Sequence, residues 1–270
     1  MPTSEETYEV YALRYASREG EKAREYYGFH RYGEPNAPCP LDYFFWLARN
    51  DHRTILVDCG YSKDRAREKG RYTQNNPNND ALETLSYLGV RPEDVDHVIL
   101  SHMHQDHAGN VNRFPNATFS MARKEFDFWT GPYGARELPA TSVDSDEVGL
   151  VKDLLREDRL HFVDDSETLF PGVQATRLGG HTPGQLMTEV TGTSGQVVLA
   201  SDAIHFYEEM EADRPFWFFC DLEGTYRAYQ LLRDLNARPD TSVVPGHDPA
   251  VMRKFKPVHP DWVVDLTSPL

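Results

Sequence analysis

Three features of the chain predict an α/β fold. In the first half, short β-branched or aromatic runs alternate with stretches whose apolar residues recur at helical spacing. In the second half, strand-like runs follow one another closely, punctuated by glycine and proline turns. The residue types able to hold a metal or act on a substrate sit just beyond strand ends, where layered α/β proteins carry their sites.

The elements can be justified in order. "TYEVYALRY" (7–15) alternates and is rich in aromatic and β-branched residues, which predicts a strand. A polar stretch over 16–40, an excursion or a short helix plus loop, ends in proline-rich sequence. "LDYFFWLARN" (41–50) and "RTILVDCG" (53–60) read as a hairpin turned at "NDH". Residues 61–80 are polar and irregular. In "NDALETLSYLGV" (79–90), Ala81, Leu82, Leu85 and Leu88 fall at helical spacing, and Gly89 supplies the stop. "VDHVIL" (95–100) is a short strand with His102 just past its end, and "NATFSMA" (116–122) is another, running into a helix at "RKEFDFW". "EVGLVKDLLRE" (147–157) is helical. "LHFV", "VQATRLG", "QLMTEV" and "QVVLASD" are strands, "YRAYQLLRDLNA" (226–237) is a helix with an apolar stripe, and "TSVVPGHD" (241–248) is a strand ending in histidine. No linker, low-complexity tract or strong repeat breaks the chain, so one domain over 1–270 is the simplest organisation.

Composition narrows the partners. With 270 residues, 39% of them apolar, the chain can bury a large core. The formal charge of -15, from 43 acidic against 28 basic side chains, repels nucleic-acid backbones and anionic membranes, so neither is an expected partner. Cys39, Cys59 and Cys220 are too few and too scattered for a disulfide scaffold or a thiolate zinc knot. "MPTSEETYEV" has neither a basic nor an apolar leader segment, and runs such as "PFWFFC" are too short to span a bilayer. A soluble, cytoplasmic protein is the expectation.

The chemistry concentrates in "SHMHQDHAGN" (101–110). Imidazole nitrogens and carboxylate oxygens are good zinc-type ligands. Alternate side chains of extended backbone point the same way, so His102 and His104 can share one metal. A turn or helix start then carries Asp106 and His107 toward a second, and Gly109 permits close backbone approach. Further ligand types stand on loops after strands: His181 in "LGGHTPG", Asp202 in "VVLASDA", able to bridge, and His247 in "VVPGHDP". His30, His52, His97, His161, His205 and His259 lack that joint context.

"ILVDCG", "SHMHQDHAGN", "GGHTPG", "LASDA" and "VVPGHD", in that order across nearly the whole chain, resemble the metallo-β-lactamase superfamily, and within it the N-acyl-homoserine lactonase-like hydrolases. The resemblance implies a four-layer αβ/βα sandwich with a dinuclear site. One metal would be held by His102, His104 and His181, the other by Asp106, His107 and His247, with Asp202 bridging. Two divalent ions are implied, zinc being usual and iron, manganese or cobalt also found. Asp58 is read as orienting a ligand histidine and Cys59 as a buried small side chain. Lactonases of this kind commonly carry a tyrosine three residues after the bridging aspartate; here that residue is His205, with Tyr207 two positions on.

The expected reaction is opening of a lactone by attack of a metal-bridging hydroxide. Asp106 is the candidate to pass a proton, and His205 or Tyr207 the candidate to assist at the carbonyl oxygen. N-acyl-homoserine lactones are the first substrate class. Aromatic lactones of the pyridoxolactone kind, thioesters and β-lactams are rivals on the same site, and a structural or redox metal module is the rival outside enzymes. "FDFWTGPYGAR" (126–136) and "EEMEADRPFWFF" (208–219) are candidate pocket walls, and "YYGFHRYG" (26–33) is a candidate cover for the site or a subunit contact. A homodimer is expected from the relatives.

Overall fold

The computed structural model describes residues 6–69, 73–74 and 80–270. The first sheet is built mainly by the front half. β1 (Glu9–Arg18) leads through the short α1 (Lys22–Glu25) into the hairpin of β2 (Leu41–Arg49) and β3 (Thr54–Val57). α2 (Lys63–Lys69) and β4 (Thr73–Gln74) follow, so part of the stretch expected to be irregular is ordered; residues 70–72 and 75–79 of it lie outside the described residues. Next come β5 (His97–Ile99), α3 (Gln105–Ala108), β6 (Thr118–Ala122), α4 (Arg123–Thr130), α5 (Ser145–Arg156) and β7 (Leu160–Val163).

The second sheet belongs to the back half. Its strands are β8 (Ser166–Phe170), β9 (Val173–Arg177), β10 (Leu186–Gly192) and β11 (Gly195–Ser201), and, after α6 (Tyr207–Ala212) and α7 (Leu222–Asn236), β12 (Thr241–Pro245). The chain then passes through α8 (Val251–Lys254) and returns to the first sheet as β13 (Phe255–His259) and β14 (Val263–Pro269). The orders are β13-β14-β1-β2-β3-β5-β6-β7, with β4 beside β1, and β12-β11-β10-β9-β8. β8, β13 and β14 were not foreshadowed by the sequence reading.

Side-chain alternation sets the layers. On β1 and β2, Val10, Ala12, Phe44 and Trp46 enter the core between the sheets, joined by Val190, Val197 and Leu199 from the second sheet. Leu13, Tyr15, Phe45 and Leu47 point the other way, under Leu82, Trp129, Val151 and Leu154. Strands buried on both faces read as continuous apolar runs, as "FFWLA" does. α7 sets Ala228, Tyr229, Leu232 and Leu235, one stripe at helical spacing, against the second sheet. Helices thus flank two packed sheets, the αβ/βα sandwich. Each fully buried large side chain contributes roughly 1.5–3 kcal/mol. Among the described residues no helix is long and apolar enough to cross a membrane.

One helix winds differently from its prediction. Residues Ala81–Leu88 form a 3₁₀ helix. Thr84 Oγ1 donates to the Ala81 carbonyl at 2.7 Å and Ser86 Oγ to the Glu83 carbonyl at 2.6 Å, both three residues back. Such local bonds compete with the α-helical pattern. Gly89, at φ 68°, ends it as expected.

Candidate metal centre

Sites in α/β sheets gather at the carboxyl ends of strands, and four strands do so here. Beyond β5 the chain passes through His102 and His104 before α3 begins, and α3 carries Asp106 and His107. His181 lies in the turn between β9 and β10, Asp202 directly after β11, and His247 two residues after β12. Buried Glu125 ties two of these loops together. Its carboxylate accepts the N–H of Met103 at 2.9 Å, of Gly184 at 2.9 Å and of the Trp129 indole at 2.7 Å. The Asp42 N–H donates to the His247 carbonyl at 2.9 Å, and the Leu186 N–H to the Ser101 carbonyl at 2.8 Å, so each sheet braces the other at the site.

Two glycines allow the close approach. A side chain at Gly246 would meet Asp202 Oδ1 at 2.5 Å, and one at Gly109 would meet the Ser62 nitrogen at 2.5 Å. Asp58 and Ser201, at φ 63° and 47°, sit in the left-handed region that side-chain-bearing residues rarely adopt. Both hydrogen-bond to Ser101 at 2.8 Å, and backbone strain of this kind clusters at functional sites.

Asp202 is the hub. Its Oδ2 lies 3.7 Å from His102 Nε2 and 3.3 Å from His181 Nε2. Its Oδ1 lies 3.3 Å from His107 Nε2 and 3.1 Å from His247 Nε2. His104 Nδ1 is 3.0 Å from His181 Nε2, and Asp106 Oδ2 is 3.6 Å from both His107 Nε2 and His247 Nε2. The donor atoms of His102, His104, His181 and Asp202 lie within 4.8 Å of one another, as do those of Asp106, His107 and His247. His102 Nε2, His107 Nε2 and Asp202 Oδ1 are buried without a hydrogen-bond partner. Such orphans are costly unless something binds them, and a pair of cations between the two groups satisfies them. The chain carries a dinuclear metal-binding cluster.

The outward nitrogens are held. His107 Nδ1 donates to Asp58 Oδ2 at 2.8 Å, and His247 Nδ1 to the Asp42 carbonyl at 2.8 Å. His102 Nδ1 meets Ser101 Oγ at 3.0 Å, and His181 Nδ1 the Phe218 carbonyl at 3.2 Å. These contacts aim the free lone pairs inward.

Electrostatics separate the rings. Burial and the neighbouring histidines hold His102 well below the ordinary histidine value, and burial lowers His104 to about 4. Burial likewise depresses His181, against the pull of Asp202. For His107 burial is outweighed by Asp202, Asp106 and Asp58, which drive it well up. Burial opposes the Asp202 anion, but His107, His247 and His205 keep it well below the usual carboxylate range.

A cavity of about 300 Å³ opens onto the cluster, walled by Tyr43, Asp106, His205, Phe216, Trp217 and Phe218 among others. Of the two segments expected to wall it, 208–219 does so and 126–136 does not reach the lining, although Trp129 packs edge-on to His104 at 6.0 Å. His205 stacks on Phe216 with centroids 3.6 Å apart. Its Nε2 is 3.1 Å from Asp202 Oδ2 and its Nδ1 3.2 Å from Glu209 Oε1. Burial opposes the charged His205 ring, but Asp202 and Glu209 push it up to about 9. Tyr207 is not brought to the cavity. Its ring lies in the core with the Lys254 ammonium 3.6 Å above it. Tyr207 opens α6, where Glu209 accepts the N–H groups of His205 and Phe206 at 2.7 and 2.9 Å and starts the helix.

Several site residues escaped the sequence reading: Arg18, Tyr43, Glu125 and Glu209. Only a buried-carboxylate signal, an acidic residue on an otherwise apolar helix face, marks Glu125 and Glu209 in advance. Cys59 is fully buried, as expected.

Comparison with known proteins places this geometry. A family model described as the metallo-beta-lactamase superfamily matches residues 40–247. The N-acyl homoserine lactonase AttM of Azorhizobium caulinodans is 33% identical over 172 residues, 63% of this chain; the chain spans 64% of that relative's length, just under two thirds. An N-acyl homoserine lactonase of a Bacillus species is 26% identical over 240 residues, covering 85% of this chain and 90% of its own. Among solved structures, a quorum-quenching N-acyl homoserine lactone lactonase superposes with a TM-score of 0.76 at 21% identity, over 97% of this chain and all of its own. AidC, a dizinc quorum-quenching lactonase, gives 0.70 at 18% identity over 92% of both chains. The two structural likenesses speak for the fold.

Proposed function

The chain belongs to the metallo-β-lactamase superfamily, on its N-acyl-homoserine-lactonase-like side, and from that premise we propose that it is a dinuclear metal hydrolase that opens a lactone ring. The observation that carries the reading is the Asp202 carboxylate, which turns one oxygen to each of the two ligand groups. His102, His104 and His181 would hold one cation, and Asp106, His107 and His247 the other. Imidazole and carboxylate donors suit zinc. When bound, the pair supplies Lewis-acid polarisation of a carbonyl and an activated water.

The protein's own groups do the rest. The cavity presents aromatic faces of Phe216, Trp217 and Phe218 to the substrate's apolar part. His205, held between Phe216 and Glu209, directs Nε2 to the Asp202 side of the cavity, where it donates to the substrate carbonyl oxygen. Asp106, at the cavity wall, accepts the proton of the attacking water and returns it to the ring oxygen. The donors are imidazole and carboxylate with no thiolate, and the cluster faces a cavity, whereas structural zinc sites are typically closed and cysteine-rich. The test is acid release by zinc-loaded protein from N-acyl-homoserine lactones, aromatic lactones, thioesters and β-lactams. Lactones turn over fastest on this reading; preference for a thioester or β-lactam overturns the lactone assignment, and inertness to all four classes overturns the hydrolase.

A further inference from the structure

We propose that residues 22–34 determine specificity from outside the cavity: they hold the loop that carries Phe216, Trp217 and Phe218 as a preformed apolar wall, and thereby favour substrates that bear an apolar chain. The inference rests on the lactone-hydrolase reading above. None of residues 26–33, expected as a cover or a subunit contact, lines the cavity. They meet the site from behind, through its wall. Phe218 in that wall stands edge-on to His104 at 5.2 Å and to His181 at 5.5 Å. Trp217, half exposed, leans edge-on against Phe218 at 5.4 Å. Apart from Leu41 and the ring of Tyr43, the remaining lining is polar, so an apolar chain has chiefly this wall to cover.

The wall lies in the loop between α6 and α7, and its backbone pairs with the earlier segment. An antiparallel bridge joins Phe216 to Tyr26. The Tyr27 N–H donates to the Pro215 carbonyl at 2.8 Å, and the Trp217 N–H to the Glu25 carbonyl at 2.8 Å. The far end of the loop is tied to the turn of His181, where the Cys220 N–H donates to the Gly180 carbonyl at 2.9 Å. Side chains fix the near end. Lys22 Nζ donates to Glu208 at 2.6 Å, and Arg214 Nη1 donates to Glu208 at 2.6 Å and to Glu34 at 2.8 Å. The Tyr26 hydroxyl adds a bond to Glu208 at 3.2 Å, and the Arg214 guanidinium lies over the Tyr32 ring at 5.0 Å. Isolated surface ion pairs contribute little, but here two cations and two carboxylates, partly shielded from water, form a network. Glu25 joins wall and polar lining: while its carbonyl holds Trp217, its buried carboxylate takes Arg18 Nη1 and Nη2 at 2.7 and 2.8 Å.

A preformed wall improves binding by removing an ordering cost. Each side chain that a substrate must immobilise lowers affinity roughly two- to tenfold. A chain laid on the fixed rings of residues 216–218 avoids that loss and keeps the gain from covering apolar surface. A substrate too short to reach the rings neither gains nor loses. Lys22, Glu34 and Arg214 are therefore positioning residues, which act on the chain through the wall and not on the reacting atoms.

The experiment compares Arg214→Met, Lys22→Met and wild type, all zinc-loaded, on N-octanoyl- and N-acetyl-homoserine lactone, which share a polar core and differ in the chain. Metal content and thermal melts accompany the kinetics. Wild type should prefer the octanoyl substrate by about 10-fold or more in kcat/KM. Arg214→Met, which keeps a long side chain over Tyr32 but breaks both ion pairs, should lose about tenfold of that preference. The loss should appear in KM, with the acetyl substrate within about threefold of wild type and two metals retained. Lys22→Met should show the same change more weakly, and it decides the matter if Arg214→Met does not fold. An unchanged preference in folded variants, equal losses on both substrates, or a wild type indifferent to the chain overturns the proposal. If wild type opens neither lactone, the lactone reading fails. Calorimetric affinities of N-octanoyl- and N-acetyl-homoserine, which need no turnover, then judge the wall by the same ratio.

Discussion

The two ends of the metal cluster are built by different means. At the first end, His102 and His181 lean on neutral partners, a serine hydroxyl and a backbone carbonyl, and His104 packs against Trp129 and Phe218 with its Nε2 unpartnered. At the second end, His107 is backed by the buried Asp58 carboxylate and His247 by the Asp42 carbonyl, and Asp106 adds a ligand charge. The same difference shows in the rings: burial depresses the first-end histidines, whereas carboxylates raise His107. One end is shaped by exclusion of water, the other by added negative charge. Removing a ligand should therefore cost more than removing a support, and supports should matter more at the second end.

The largest effect is expected at the first end. His104→Ala withdraws a buried donor for which nothing nearby substitutes, and hydrolysis should fall on the order of 10³-fold or more while circular dichroism stays native. Unchanged turnover would remove His104 from the mechanism. A middle effect separates the ends. Asp58→Asn should weaken one of two zinc equivalents by about 10–100-fold in a chelator competition, whereas Ser101→Ala should weaken zinc by only a few-fold; equal losses would erase the contrast between carboxylate and hydroxyl support. A smaller effect concerns the donor over the first end. Against burial, Asp202 and Glu209 raise the His205 ring, and cations held by Asp202 would oppose the first of these. His205→Gln should turn over several-fold more slowly than wild type; superimposable rates across the pH range would exclude the ring from the reaction.

The smallest effect lies away from the cluster. His97 is buried between Thr118 and Ser120, its nitrogens 2.7 and 2.9 Å from their hydroxyls, and burial lowers it to about 4. A depressed histidine favours the neutral ring in the folded state. The stability it confers is therefore complete above the ordinary value near 6.5 and is lost as pH falls toward 4. Urea unfolding should show a loss of about 2 kcal/mol between pH 7 and pH 5 from this group, and His97→Gln should remove that component; an unaltered slope would assign the acid sensitivity elsewhere.

The first end's outer loop and the second end's helix were legible together because one hexapeptide, His102 to His107, encodes both. Asp202 and His247 were legible from strand-ending position, and Asp58 from its place after "ILV". The strands of the central layers were plain because burial on both faces leaves continuous apolar runs. What was not legible has a common physical reason. Glu125, Glu209, Arg18 and Tyr43 act through partners distant in sequence, and their spacing carries no period of its own. Tyr207 looked equivalent to His205 in sequence, but it opens α6 and its ring lies under Lys254. Ala81–Leu88 carried a helical apolar pattern, and the threonine and serine bonds that tighten it do not alter that pattern.

The most direct measurement is the number of divalent ions each chain binds, by elemental analysis after dialysis and by calorimetric titration of chelator-stripped protein with zinc. Two per chain are predicted for the wild type, with both weakened in Asp202→Asn, since that carboxylate serves both ends. One ion or none, with zinc, iron, manganese and cobalt each offered in turn, would contradict the paired cluster and everything built on it.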